Sequence, residues 1–294
     1  MDSRHLEYFV AAAEELHFTR AARRCYVVQS TLSAGITALE RQLGAPLFDR
    51  QGRGVTLTRM GHELLPLARA ALESLSRFED ASRNDGLLRG RVRLGTFAGL
   101  GVFGMPEMLG DFHRQHPGVE LLLTPSPSGS LGLADDVRHG RLDLCLYGLP
   151  DTPPGLQRTE LASSEFVAIL PSGHPLASSS RVLLADLMDE AFVEGRSGFG
   201  NRLMLDAELE RRHLRRRISI EVADLLEVPQ FVAAGFGVGV LPALTLQPFP
   251  GSVSRPLDIS ITWPLSLLTT NHRSVPTDAL IERLVAGFHH HSRA

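Results

Sequence analysis

The sequence predicts an α/β chain in three parts: a small helical head with a two-stranded appendage, one long helix, and a larger α/β body of two similar halves. Three observations carry this. Residues 3–44 place apolar side chains at helical spacing with short interruptions. Residues 58–82 sustain an apolar alternation of 4 and 3. From Arg91 onward, strand-like runs alternate with helical ones. At 294 residues the chain is long for one domain and comfortable for two or three.

In the head, Ser3 is placed to cap a first helix whose Leu6, Phe9, Val10, Ala13 and Leu16 form one stripe. Thr19 is placed to cap a second, short helix through Ala21, Ala22, Arg23 and Arg24. Cys25-Tyr26-Val27 turns the chain into a third helix, with Leu32, Ile36, Leu39 and Leu43 facing the core. Gln29, Ser30, Thr31, Ser33 and Thr37 then face outward, and Gly44 sits where a left-handed cap is expected. Two such helices joined by a tight turn make a helix-turn-helix, whose second helix fits a major groove. Small polar side chains near its start suit base edges and phosphates. Similar helix pairs also occur where no nucleic acid is bound. Ala45–Thr58 follows as two short strands around a Gly-rich turn, a wing with Arg50 and Arg53 at its tip to meet phosphates. The expected DNA contacts are Thr19, Gln29, Ser30, Thr31, Ser33, Thr37, Arg50 and Arg53.

Thr58 is placed to cap a long helix to about Ser82. Its Leu64, Ala68, Ala71, Leu75, Phe78 and Ser82 form a heptad seam. The seam fits a two-helix dimer; the alternative is packing on its own domain. Pro66 removes the bond to the His62 carbonyl within it. Asn84-Asp85-Gly86 breaks the helix and opens a hinge to Gly90.

In the body, strands are expected at 91–97, 119–124, 142–147, 166–170, 191–193, 218–222, 238–241 and 260–270. Helices are expected at 106–116, 131–139, 201–213, 225–234 and 277–290. The alternation implies a parallel sheet covered by helices, in two halves, with the last segment returning to the first. Open sheets of this kind bind small molecules in the crevice beyond the strand C-termini. The loops there offer Thr96, Ser128, Ser130 and Tyr147 from one half, with Arg196 and Phe199 from the other. Arg196 would pair an anion, Thr96 and Ser130 would orient polar groups, and Phe199 with Tyr147 would sandwich an apolar body.

Composition narrows the function classes. Net charge is −3, but residues 1–62 hold eight Arg against six Asp and Glu, and no lysine occurs anywhere. A slightly basic head on an acidic body fits DNA binding by one small module. No apolar run reaches the roughly 20 residues of a membrane span. MDSRHLEYF has no apolar h-region, so a cytoplasmic location is expected. Cys25 and Cys145 are too few for a disulfide framework, and Cys145 in an apolar strand is expected to pack rather than sense oxidants. Gly99-Leu100-Gly101-Val102-Phe103-Gly104 matches G-x-G-x-x-G between a strand and a helix. A dinucleotide-dependent enzyme is therefore one alternative, although Thr124 rather than an acid ends the next strand. No G-x-S-x-G nucleophile elbow is present. His289-His290-His291 point in different directions on a helix, so no metal and no cofactor is expected.

The phrases FTRAARR, LSAGITALERQLG and APLFDRQGRGVTLTRMG resemble the N-terminal domain of the LysR-type transcriptional regulators. MPEMLGDFHRQHPGVELLL, HGRLDLCLYG, VAILPSGHPLA and FVAAGFGVGVLPAL resemble the same family's effector domain. The resemblance implies a winged helix-turn-helix over 1–58, a linker dimerisation helix over 59–86, a hinge over 87–90, and an effector domain over 91–294. That domain would have the fold of periplasmic solute-binding proteins, with subdomain I at 91–163 and 267–294 and subdomain II at 164–266. It implies a ligand-responsive regulator that binds double-stranded DNA as a dimer or larger assembly and takes a small effector between the subdomains. A stand-alone solute-binding protein is the other alternative. The chain departs from the family where a recognition-helix phrase with an N-cap serine and a later arginine is usual. Val28 cannot cap, so Ser30 is expected to substitute, and Ala34 removes a cation. Gly35 costs about 1 kcal/mol of helix propensity relative to alanine.

Overall fold

The structure, a computed structural model, describes residues 2–49, 55–83, 87–97 and 103–291. The head is built from α1 (Ser3–Glu15), α2 (Phe18–Arg24) and α3 (Gln29–Leu43). Its wing is the antiparallel pair β1 (Phe48–Asp49) and β2 (Thr56–Leu57). Phe9, Ala12, Leu32, Ile36, Leu39, Leu47 and Phe48 close one core with Leu65 and Ala68 of α4 (Arg59–Arg83). The Phe48 ring stands edge-on to Phe9 and Phe18, which fixes the wing root to the helices.

Three helix starts differ from expectation. Asp2, not Ser3, caps α1, its carboxylate accepting from Arg4 N. Thr19 lies inside α2, which begins at Phe18 after His17 without a side-chain cap. Ser30 does not cap α3 either; the helix begins at Gln29 with Val28 at its N-cap, no side chain serving it. The Val28 carbonyl accepts from Thr31 N at 3.0 Å, so the turn is closed by backbone alone. Thr58 does cap α4, its Oγ1 accepting from Gly61 N at 3.0 Å and donating to the Pro46 carbonyl at 2.7 Å. Gly44 ends α3 at φ 72°.

The body corrects the all-parallel expectation. Its first half holds β3 (Arg89–Thr96), α5 (Met105–Gln115), β4 (Gly118–Pro125), α6 (Gly129–Arg138) and β5 (Leu144–Tyr147). The second holds β7 (Ala191–Gly195), α7 (Gly200–Arg211), β8 (Arg217–Val222), α8 (Val228–Ala233), β9 (Gly239–Pro242) and β10 (Ser252–Pro256). Among the described strands, β3–β4, β3–β5 and β7–β8 form parallel ladders, and Val182–Leu257 and Phe192–Val238 make isolated parallel bridges. The crossing strands β6 (Gln157–Pro171) and β11 (Thr262–Thr269) run antiparallel to their neighbours. The reason is topological: β6 carries the chain straight from one half to the other with no helix to turn it round. Residues 157–165 of β6 pair with β11, while 166–171 pair with β9 and β10. The chain returns through β11, and α9 (Val275–His291) packs on α5 and β3 of the first half. Residues 225–227 form a short 3-10 turn ahead of α8.

One core, including Leu94, Met105, Phe112, Leu146, Phe166, Leu205, Leu265 and Leu284, spans both halves. The linker helix rests on this body as well as on the head. Glu14 of α1 accepts from Arg69 of α4 at 2.6 Å and from Arg93 of β3 at 3.2 Å, so one carboxylate joins three elements. Burial works to raise its pKa, but the Arg69, Arg24 and Arg93 cations outweigh it and hold it below the usual carboxylate value.

Candidate functional site

Two places on the chain carry functional chemistry. The first is the outward face of α3. Leu32, Gly35, Ile36 and Leu39 are buried, which turns Gln29, Ser30, Thr31, Ala34 and Thr37 to solvent and leaves Ser33 half-buried. Gly35 is explained by a close approach rather than by helix propensity. A Cβ there would lie 2.6 Å from the Tyr8 ring, so glycine lets α1 cross α3. Glu40 fixes the wing to α3, its Oε1 accepting from Leu47 N at 2.8 Å and Phe48 N at 3.3 Å. Thr19 is exposed on α2, while Arg50 and Arg53 lie outside the described residues.

Sequence reasoning passed over two residues of this face. Tyr26 is 96% exposed in the turn before α3, at φ 56°. A tyrosine held in the left-handed region with its whole ring in water is unusual, and that conformation costs on the order of 1–3 kcal/mol. Arg23 is exposed at the end of α2 with no acidic partner among the described residues. Arg20 and Arg24, by contrast, are held by Glu15 and Glu14.

The second place is a cleft between the two halves of the body, with about 480 Å³ of empty space that includes its open mouth. Phe97 and Phe103 come from the first half, Phe199 and Leu225 from the second, and Trp263 from the returning strand β11. The Phe103 and Trp263 rings stack with centroids 6.4 Å apart, and Phe97 stands 6.2 Å from Trp263. Ser130, Asn201, Asp224 and Thr245 are the polar groups on its wall. Ser130 Oγ accepts from Gly148 N at 3.2 Å, and Asp224 accepts from Leu226 N at 3.0 Å. Neither α6 nor α7 has a side-chain cap at its start, and Ser130 in the first turn of α6 and Gly200 and Asn201 in the first turn of α7 line the cleft.

The halves meet at glycines. A Cβ on Gly200 would lie 2.2 Å from the Gly148 carbonyl oxygen, and one on Gly129 2.8 Å from that of Gly198. Any side chain at either position would hold the cleft apart.

Of the expected effector residues, Ser130 and Phe199 line this space. Tyr147 does not: it is buried with Leu133, Val137 and Leu268 beneath α6, because all four residues of β5 are covered on both faces. Burial pushes its phenol pKa up. Arg196 is exposed outside the cleft, Ser128 is exposed at the start of α6, and Thr96 is buried at the end of β3 and does not line the cleft. The aromatic lining of the cleft is therefore Phe97, Phe103, Phe199 and Trp263. Of the glycine-rich run, 99–102 lie outside the described residues; Phe103 lines the cleft and Gly104 starts α5 at φ 63°. Cys145 is buried and its thiol is pushed far above the ordinary range by desolvation. Among the described residues no cluster of His, Cys, Asp and Glu could hold a metal ion, and no helix is long and apolar enough to cross a membrane.

Comparison with known proteins agrees with both places. Residues 3–62 match the bacterial regulatory helix-turn-helix protein, lysR family, and residues 85–288 match the LysR substrate binding domain. The HTH-type transcriptional regulator ShiR of Corynebacterium glutamicum is 37% identical over 246 residues, covering 82% of each chain. The uncharacterized HTH-type transcriptional regulator YybE of Bacillus subtilis is 32% identical over 269 residues, covering 90% of this chain and 89% of its own. Full-length OxyR of Pseudomonas aeruginosa superposes with a TM-score of 0.76 at 26% identity, covering 98% of this chain and 94% of its own. A head that reads DNA, a long helix and a ligand cleft in one chain, matched along nearly its whole length, show that it belongs to the LysR family: a DNA-binding, effector-responsive transcription regulator that acts as an oligomer.

Proposed function

We propose that α3 enters a major groove with Gln29, Ser30, Thr31, Ser33 and Thr37 toward the bases, while Arg50, Arg53 and Arg23 meet phosphates and Thr19 lies alongside. Ala34 leaves this face without the cation usual at that position, so sequence preference rests on neutral side chains and on Tyr26. The effector occupies the cleft, its apolar body between Phe97, Phe103, Phe199 and Trp263, with Ser130, Asn201 and Thr245 orienting its polar groups. We assign the head to 1–58, the linker helix to 59–83, the connection to 84–88 rather than the expected hinge at 87–90, and the effector domain to 89–294, because Arg89 and Gly90 already pair with β4. The halves of that domain divide within β6 and β11, near 163 and 267. Leu75 and Phe78 of α4, 44% and 79% exposed, supply the seam for a second copy.

The chain works in the cytoplasm and has no catalytic role. A peroxide response like that implied by some relatives' names is not carried over, because the Cys145 thiol is buried and held protonated, and burial also raises the half-buried Cys25 thiol. The observation that carries the reading is an aromatic-walled cleft drawn from both halves, which a ligand can close. Trp263 is the sole tryptophan of the chain, so its fluorescence reports on the cleft alone. Titration with a panel of small aromatic compounds is expected to quench or shift that emission for a subset. Emission unmoved by any compound that alters DNA binding would place the effector elsewhere.

A further inference from the structure

A second cavity, of about 410 Å³ with its open mouth, lies where the linker helix meets the effector domain and shares no lining residue with the cleft. Arg69 of α4 is its central group. The Arg69 side chain is 10% exposed, and Nη2 donates to Glu14 Oε1 at 2.6 Å. Its Nε and Nη1 are buried and have no hydrogen-bond partner. Two buried donor nitrogens left unpaired cost on the order of 1–3 kcal/mol each, so a native protein seldom leaves them so without water or an ion. A Cβ built on Gly140, another wall of the cavity, would stand 3.0 Å from Nη1, which shows where that edge of the guanidinium points.

The charge around Arg69 is also unbalanced. Glu14 is shared by Arg24, Arg69 and Arg93. Asp143 is taken by Arg93, which donates to it from Nε and Nη2. Glu15, 3.8 Å from Arg24, is held by Arg20. Desolvation and the neighbouring Arg93 pull the Arg69 pKa down to about 10, so it stays charged at neutral pH. Across the cavity stand His272, Arg273, whose Nε donates to Asp278 Oδ1 at 2.6 Å and whose Nη1 donates to Gln157 Oε1 at 2.8 Å, and the first turn of α9, capped by Ser274 Oγ accepting from Thr277 N at 3.2 Å. The capped start of α9, a helix of 17 residues, and Arg69 with its two unpaired nitrogens thus border one cavity.

We propose that this cavity is an anion site for a small tetrahedral oxyanion, separate from the effector cleft. The anion takes the unpaired Arg69 donors on one side and, on the other, the Arg273 guanidinium beyond its bonds to Asp278 and Gln157. It therefore bridges the linker helix to the effector domain and favours the docked arrangement of the two. Occupancy is then a second input to the regulator, linked to whatever moves α4 on the body.

The test uses the full-length protein and inorganic phosphate, titrated by calorimetry and by thermal melting at constant ionic strength against chloride. Saturable binding and a rise in Tm beyond that of chloride are expected, with Trp263 emission unchanged. Arg69→Gln should weaken phosphate at least tenfold. Arg273→Gln leaves the Glu14 network intact and should weaken it several-fold, which keeps the test valid if Arg69→Gln does not fold. Arg59→Gln, on the exposed face of the same helix, should bind as wild type. Phosphate acting no better than chloride, equal binding by Arg69→Gln and Arg273→Gln to wild type, or a Trp263 response would each overturn the proposal.

Discussion

Replacing Gly200 with alanine should open the effector cleft. The added Cβ would lie 2.2 Å from the Gly148 carbonyl oxygen, 2.8 Å from the Gly148 carbonyl carbon and 3.1 Å from Ser130 Oγ. Ordinary contact at about 3.4 Å needs a shift of roughly 1.2 Å. The obstacle is backbone, so no rotamer change absorbs it. Gly148 is moreover tied to α6 through its N–H on Ser130. The two halves must therefore part. Forced overpacking costs about 1–3 kcal/mol, against a gain of at most about 1 kcal/mol for alanine in a helix. The strain falls on the closed form, so a ligand that closes the cleft should bind about tenfold more weakly, equivalent to roughly 1.4 kcal/mol. Gly173→Ala is the control, because nothing lies within 4 Å of its Cβ position. Urea melts and ligand calorimetry on both variants decide it. If Gly200→Ala melts and binds like Gly173→Ala, the glycine contact does not set the cleft.

Further expectations follow from the same geometry. Leu75→Asp or Phe78→Asp places a charge in the exposed stripe of α4 and should dissociate the assembly, read as a halved mass by light scattering. DNA affinity should fall with it, since two half-sites need two heads. Arg50→Ala and Arg53→Ala should weaken binding to all sequences and lower the salt slope, whereas Gln29→Ala should change preference among sequences, both read by gel shift at several salt concentrations. His62 of α4 stands 4.8 Å from His139 of the body, and desolvation, His139 and Arg141 lower its pKa despite Asp135. A histidine with a lowered folded pKa contributes stability that is present above its unfolded value and lost as pH falls below about 6.5. Melting at pH 5.5 should thus be less destabilising, relative to pH 7.5, in His62→Gln than in wild type.

The head was legible because its information is local. The 4-3-4 spacing of Leu32, Ile36, Leu39 and Leu43 names the buried face of α3 without reference to any other element. Gly35 was not legible in the same way. Its local propensity cost is visible in the sequence, but the Tyr8 ring it accommodates comes from another helix. In the body, the first nine residues of β6, QRTELASSE, are mostly polar and gave no strand signal; pairing with β11 fixes them. The same crossing strand made the sheet mixed rather than parallel. Tyr147 was misplaced because alternation alone cannot tell that β5 is covered on both faces. Trp263 escaped notice because its position in the cleft depends on where β11 returns, a contact 160 residues from Phe103 in sequence.

The central claim is that the cleft and the head act as one regulator, and a reciprocal titration tests it most directly. A compound that shifts Trp263 emission would be titrated into the free protein and into the protein saturated with its own recovered DNA site. DNA affinity would then be measured with and without the compound. The account predicts the same factor in both directions, different from one and of the size given by a coupling of about 1–3 kcal/mol. A compound that binds the cleft with a factor of one would contradict it.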